Sequence, residues 1–123
     1  SNAISLMGDK IAGKISVKKA GVPVLPGSDG SIASEDEAVS ISREIGYPVM
    51  VKATGGGGGR GLRIARDEKD LLSALSIAKS EAKGAFGSTE VFIEKYVERP
   101  HHIEFQILAD KLGNTIHLGE RDC

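Results

Sequence analysis

Apolar residues recur along this chain in two rhythms, and each change of rhythm marks an element. Ser34-Glu35-Asp36-Glu37 has the form of a capping box, serine followed three positions later by glutamate. Ala38, Ile41 and Ile45 then recur at helical spacing until Gly46 ends the helix before Tyr47-Pro48. Residues 49–54 alternate instead, with Val49, Val51 and Ala53 on one face and Met50, Lys52 and Thr54 on the other. Lys52 therefore points away from the face that carries the valines. Leu62-Arg63-Ile64 predicts a second strand. Asp67 then starts a helix over about 68–83, with Leu71, Leu72, Leu75, Ala78 and Ala82 as its apolar stripe. Residues 84–89 read as a loop. Val91-Phe92-Ile93-Glu94 is strand-like and runs on into Lys95-Tyr96-Val97. Past Pro100, residues 103–108 alternate as a strand, residues 110–114 turn, and residues 115–118 return, which predicts a hairpin. At the other end, residues 7–20 predict a helix, with Asp9 in its first turn and Gly21 at the position after its last. Residues 22–27 are extended, because each proline biases its predecessor away from α. Residues 28–32 read as a polar turn.

Helices interleaved with antiparallel strand pairs argue for an α+β fold with a small antiparallel sheet and flanking helices. The compact unit runs from about 24 to 97. A boundary at Glu98-Arg99-Pro100 leaves residues 98–123, with the hairpin, to a neighbouring domain, and residues 4–23 to a preceding one. The unpaired edges of that hairpin could associate between molecules. Ser1-Asn2-Ala3 looks like a tag-cleavage scar. An opening at Ile4 without methionine, and an end at Glu120-Arg121-Asp122-Cys123 straight after a strand, read as a piece excised from a longer protein.

Composition narrows the functions. The chain has 123 residues, with 16 basic and 17 acidic ones and a formal net charge of −1. That balance gives no electrostatic case for nucleic acid or an anionic membrane. With no tryptophan, two tyrosines and three phenylalanines, there is little surface for stacking bases. No apolar run is long enough to span a bilayer. The single cysteine, Cys123, cannot form an internal disulfide, which fits a reducing cytoplasm. No Cys or His cluster has zinc spacing, so no metal ligands are expected here.

The chemistry is concentrated in Lys52-Ala53-Thr54-Gly55-Gly56-Gly57-Gly58-Gly59-Arg60-Gly61, which lies between two predicted strands. Glycines let backbone N–H groups approach phosphate oxygens with no Cβ in the way, and Lys52 adds a point charge from a strand end. Gly56, Gly58 and Gly61 satisfy G-x-G-x-x-G as a string, but the dinucleotide fingerprint needs a helix straight after the loop. The Walker A loop needs its lysine after the glycines, with a helix behind. Both fail on context. What remains is a strand–loop–strand flap, mechanically similar to the glycine-rich loop of kinases. A plain Gly linker would not usually be clamped between apolar strands with Lys52, Arg60 and Arg63 so close. With six glycines in seven positions, residues 55–61 are expected to be mobile without nucleotide.

Several stretches together resemble biotin carboxylase, a member of the ATP-grasp superfamily. They are Met7-Gly8-Asp9-Lys10, Ala20-Gly21-Val22-Pro23, Pro26-Gly27-Ser28-Asp29-Gly30, Gly46-Tyr47-Pro48-Val49 and Lys52 through Arg63. Glu94-Lys95-Tyr96-Val97, Pro100-His101-His102-Ile103-Glu104 and Gly119-Glu120-Arg121-Asp122-Cys123 follow. The resemblance implies that residues 24–97 are the lid subdomain that closes on ATP. Residues 4–23 would be the linker helix before it, and residues 98–123 the truncated start of the central catalytic domain. By position, Lys10 and Lys52 match nucleotide-contacting lysines, and Gly57, Gly58 and Gly59 form the flap. Glu94 would accept from the adenine amino group, because a carboxylate only accepts and adenine offers an exocyclic donor there. Backbone groups at Lys95 and Val97 would read the base edge, and His102 would meet the ribose hydroxyls.

The implied reaction activates bicarbonate with ATP to carboxyphosphate and then moves the carboxyl group to N1′ of biotin on a carrier protein. Mg2+ accompanies ATP. Its ligands, the bicarbonate-binding arginine and the catalytic base would lie beyond Cys123, so these residues alone are expected to fold, to bind nucleotide weakly and to be inert. The implied partners are the biotin carboxyl carrier protein, carboxyltransferase subunits and a second copy of the parent, with acetyl-CoA carboxylase as the setting. The biotin carboxylase domains of pyruvate or propionyl-CoA carboxylase fit as well. Another ATP-grasp ligase is disfavoured by the full glycine run and the Glu-Arg-Asp-Cys ending, and a non-enzymatic nucleotide-binding module on the same lid stays open.

Overall fold

The computed structural model describes residues 10–55, 61–87 and 89–123. In chain order these form α1 (Lys10–Lys19), α2 (Glu35–Ile45), β1 (Val49–Ala53), β2 (Leu62–Ala65), α3 (Glu68–Phe86), β3 (Val91–Lys95), β4 (Ile103–Ala109) and β5 (Thr115–Asp122). Residues 7–9 of the expected first helix, Asp9 included, and residues 56–60 of the glycine run lie outside the described residues, and so does the expectation that the run is mobile.

β1 is the centre of a three-stranded antiparallel sheet, order β2-β1-β3. Its register sets Val49 opposite Ala65 on one side and Lys95 on the other, and Lys52 opposite Leu62 and Phe92. Side chains alternate along a strand, so Val49, Val51, Ala65, Val91 and Ile93 share one face. They are completely buried there, against α3 and α2. The face of α3 that meets them carries Leu71, Ala74, Leu75, Ala78 and Ala82. Leu72, expected in this stripe, is exposed and Ala74 takes its place, because one further residue along a helix turns the side chain about 100° away from its neighbour. On α2 the deepest positions are Ala38 and Ser42, with Ile41 and Ile45 packed at the margin of the core.

The helix ends follow local chemistry. Ser34 Oγ accepts from Glu37 N at 3.1 Å, and Glu37 Oε2 accepts from Ala33 N at 2.8 Å, a capping box displaced by one residue at its return bond. Asp67 caps α3 by accepting from Asp70 N at 2.8 Å. α3 continues past Gly84 to Phe86, so the loop expected from residue 84 begins later. One interior glycine costs a helix only about 1 kcal/mol, and the helix stops where Gly87 takes a left-handed φ of 69° and donates to Lys83 O. At the end of α1, Val22 N donates to Val17 O and Gly21 N to Lys18 O, the paired bonds of a Schellman motif.

Residues 28–32 are more than the expected polar turn, and they continue the extended residues 26–27. They run along the outer edge of β3: Lys95 N donates to Pro26 O at 2.8 Å, Ser28 N to Ile93 O at 2.8 Å and Ile32 N to Val91 O at 2.8 Å. The Ser28 hydroxyl accepts from Ile93 N at 3.0 Å and so replaces a missing ladder acceptor. This approach requires glycine at 27, where a Cβ would stand 2.3 Å from Ile93 O and 3.0 Å from Glu94 Cα.

The second sheet is the β4–β5 hairpin. Asp110 closes its turn by accepting from Leu112 N, Asn114 N and Asn114 Nδ2, and the Asn114 side chain leads in holding its carboxyl below the usual range. β5 runs to Asp122, beyond the expected strand end at 118, because a bulge opposite Phe105 and Ile107 absorbs one extra residue and pairing then resumes. Glu104 and Arg121 face each other in register and form an ion pair. Ile103, Phe105, Ile107, Leu108, Ile116 and Leu118 are all exposed.

Candidate functional site

The face of the sheet away from the helices carries the polar chemistry. Lys52 sits opposite Phe92, and Met50 opposite Glu94. Lys52 and Glu94 are therefore diagonal neighbours on one face, within reach of long side chains. Lys52 Nζ pairs with Glu94 Oε1, and Lys14 Nζ reaches from α1 to Glu94 Oε2 at 3.2 Å. The three side chains are only 27 %, 19 % and 12 % exposed for Lys52, Lys14 and Glu94, so this is a partly dehydrated group and not a surface pair. Burial alone would push the Glu94 carboxyl up. The hydrogen bond and charge of Lys52, with those of Lys14, outweigh it and hold Glu94 below the usual carboxylate range.

Two lysines on one carboxylate leave a local surplus of positive charge at the strand end where the glycine run begins. That arrangement suits a phosphate. Each Glu94 oxygen has two lone pairs, so a carboxylate held by one lysine on each side keeps acceptor capacity for a further donor.

The remaining expected site residues are distributed as follows. Lys95 N is taken by Pro26 O, so the group Lys95 can offer to a base edge is its carbonyl. Its side chain donates to Gly46 O at 2.9 Å and Tyr47 O at 3.1 Å, where a cation meets the carbonyl end of α2. Val97 is exposed, two residues beyond β3. His102 belongs to the hairpin. It is 71 % exposed, lies 3.6 Å from Glu104, and accepts at its backbone oxygen from Cys123 N. Lys10 opens α1. Gly57, Gly58 and Gly59 lie outside the described residues. The structure thus joins Lys52 and Glu94 directly, with Lys95 next after Glu94 along β3, and sets His102 just before β4 of the separate hairpin.

Lys14 is the member of the group that sequence reasoning did not single out. A signal exists: Lys10, Lys14 and Lys18 recur every four residues, the spacing that stacks side chains on one helix face. The structure gives Lys14 to Glu94 and Lys18 to Asp29, at 3.1 Å. Among the described residues no group of three His, Cys, Asp or Glu side chains could hold a metal ion. Mg2+, which the resemblance implies, therefore finds no such group among the described residues. No described helix is long and apolar enough to cross a membrane.

Comparison with known proteins places this geometry. The family described as carbamoyl-phosphate synthase L chain, ATP binding domain, matches residues 9–123. "Biotin carboxylase 1, chloroplastic" of Populus trichocarpa is 57 % identical over 122 residues, covering 99 % of this chain and 23 % of the relative. The biotin carboxylase domain dimer of the Hydrogenobacter thermophilus 2-oxoglutarate carboxylase, solved with MgADP, ADP and bicarbonate, superposes with a TM-score of 0.94. It is 56 % identical, over 99 % of this chain and 27 % of the neighbour. Biotin carboxylase from Campylobacter jejuni, in a β,γ-ATP complex, gives a TM-score of 0.92 at 52 % identity, over 98 % of this chain and 27 % of the neighbour. The chain spans about a quarter of the length of the curated relatives it matches. The sheet and helices superpose on these neighbours, whose match covers nearly the whole chain, and the chain belongs to the ATP-binding-domain family of the carbamoyl-phosphate synthase L chain, with the ATP-grasp fold of the biotin carboxylases.

Proposed function

We propose that this chain is the ATP-closing lid region of a biotin carboxylase, an ATP-dependent ligase that carboxylates biotin on a carrier protein with bicarbonate. The observation that carries the reading is the placement of Lys52. It is the last but one residue of β1, three positions before Gly55 opens the glycine run, on the polar face, held by Glu94 of the neighbouring strand. In this reading residues 24–97 are the lid, residues 4–23 the linker helix and residues 98–123 the start of the central catalytic domain. Lys10 and Lys52 contact the nucleotide, with Lys52 neutralising phosphate charge as Gly57, Gly58 and Gly59 close over it. Glu94, the Lys95 carbonyl and Val97 take the adenine edge, and His102 meets the ribose when the hairpin's domain approaches.

This chain contributes binding, orientation and exclusion of water, which is most of what phosphoryl transfer asks of a protein. The 123 residues alone bind nucleotide weakly and do not cleave it. The parent works with a biotin carboxyl carrier protein and carboxyltransferase subunits, as a homodimer in the cytoplasm, within an acetyl-CoA carboxylase that feeds fatty acid synthesis. A role in a 2-oxoglutarate carboxylase is the second reading, supported by 57 % identity over 120 residues to the small subunit of that enzyme from Hydrogenobacter thermophilus.

The test is ADP release by the full-length parent with bicarbonate, with and without free biotin, for wild type and Lys52→Ala. Biotin-stimulated release that falls with the substitution is expected. Release indifferent to biotin would refute the carboxylase assignment and leave a ligase with another acceptor. No release from a folded parent would refute the enzyme.

A further inference from the structure

Glu94 holds two cations, and only one of them is needed to explain a nucleotide site. Lys52 stands beside the glycine run. Lys14 approaches from α1, on the other side of the carboxylate. Lysine is seldom buried without a partner, yet the Lys14 side chain is 19 % exposed, against 61 % for Lys18 one turn later. Room has been made for it: a Cβ at Gly27 would stand 3.0 Å from Lys14 Nζ. α1 is stopped by its Schellman motif, and Lys18 is tied to Asp29, so the helix that aims Lys14 is fixed at that end.

If Lys52 turned to a phosphate and Glu94 had no other cation, a carboxylate only 12 % exposed would be left charged and unpaired, which is the costly state. Lys52 would then be held back by its own partner. Resting on the function proposed above, we infer that Lys14 is a positioning residue for the nucleotide site: it is the standing counter-ion of Glu94, and it frees Lys52 to leave Glu94 for a phosphate. The ion pair exchanges from three members to two as the nucleotide enters, and no charge is stranded.

The test uses the full-length parent, with ADP affinity by equilibrium dialysis and steady-state kinetics in ATP. Lys14→Met keeps the stem and removes the charge. It is expected to weaken ADP binding and raise KM for ATP about tenfold, the effect of losing one charge-assisted hydrogen bond, with kcat within about twofold. Lys14→Gln should do the same, and Lys14→Arg should restore both constants to within about twofold. In a Glu94→Gln background Lys14→Met should add less than about twofold, since the carboxylate it served is gone. A full tenfold effect in that background would overturn the inference, because Lys14 would then act on the nucleotide directly. A lowered Tm with unchanged KM would overturn it too, leaving Lys14 as a clamp for α1. A wild-type parent that binds no ADP would sink the proposed function before this inference is reached.

Discussion

Gly27→Ala isolates the contact that holds β3, and Glu94 with it, against the segment beside it. The added Cβ would meet Ile93 O at 2.3 Å, Glu94 Cα at 3.0 Å and Lys14 Nζ at 3.0 Å. The lysine end could swing away, but the first two atoms are backbone, so residues 26–28 must move out by roughly an ångström, to ordinary van der Waals separation. Three hydrogen bonds are then strained or lost: Lys95 N to Pro26 O, Ser28 N to Ile93 O and Ile93 N to Ser28 Oγ, at 2.8, 2.8 and 3.0 Å. At about 1 kcal/mol net for each, the substitution should destabilise the chain by about 2–4 kcal/mol. Gly30→Ala is the control. It adds a Cβ with nothing within 4 Å, at a backbone angle ordinary residues adopt, and should be neutral or stabilise by up to about 1 kcal/mol. Urea unfolding followed by far-UV circular dichroism gives both numbers, and amide exchange at Ile93 and Lys95 locates the damage. A Gly27→Ala midpoint equal to that of Gly30→Ala, with unchanged slope, would refute the close-approach reasoning.

Leu71→Ala should cost about 2–5 kcal/mol, because Leu71 is completely buried in the α3–sheet core and has no surface to collapse towards, whereas Leu72→Ala, on the exposed side of the helix, should cost under about 1 kcal/mol. Similar midpoints for the two in urea would contradict the register given to α3. The Glu94 carboxyl sits below its ordinary value of 4.5 when folded, so its contribution to stability is present above that value and is lost as pH falls through the lower folded one. The stability gap between wild type and Glu94→Gln should therefore be constant near neutral pH and close progressively below about pH 4.5, and a gap unchanged down to about pH 3 would show that the carboxylate is not held by its lysines.

The parts of the fold written in local chemistry were legible. Ser34 and Asp67 announced their helices because a cap is a contact between residues three apart. The alternation of residues 49–54 placed Lys52 correctly because a strand has only two faces. Gly84 misled, since a glycine can stop a helix or sit inside one, and only the left-handed turn at Gly87 decides between them. Leu72 misled because two adjacent leucines cannot both face the core, and tertiary packing chose Leu71. The pairing of Lys52 with Glu94 depends on strand register across 42 positions of sequence, and that of Lys14 with Glu94 on 80. Nothing local encodes either. Family likeness supplied Lys52 and Glu94 as separate ligands, and the fold shows that they bind each other.

The two feet of the glycine run are anchored unequally. β1 is bonded on both sides, to β2 and to β3, and β3 is bonded again to residues 26–32. β2 is an outer strand, and its Arg63 is tied to Glu81 of α3. Displacing the β1 foot would tear two ladders and drag Glu94 with them, while displacing the β2 foot opens one ladder and leaves α3 held on β1 and β3 by the core. Any displacement of the two feet therefore falls first on β2. The backbone of Lys52, on the β1 foot, is thereby a fixed pivot, and its charge travels only as far as the side chain can swing.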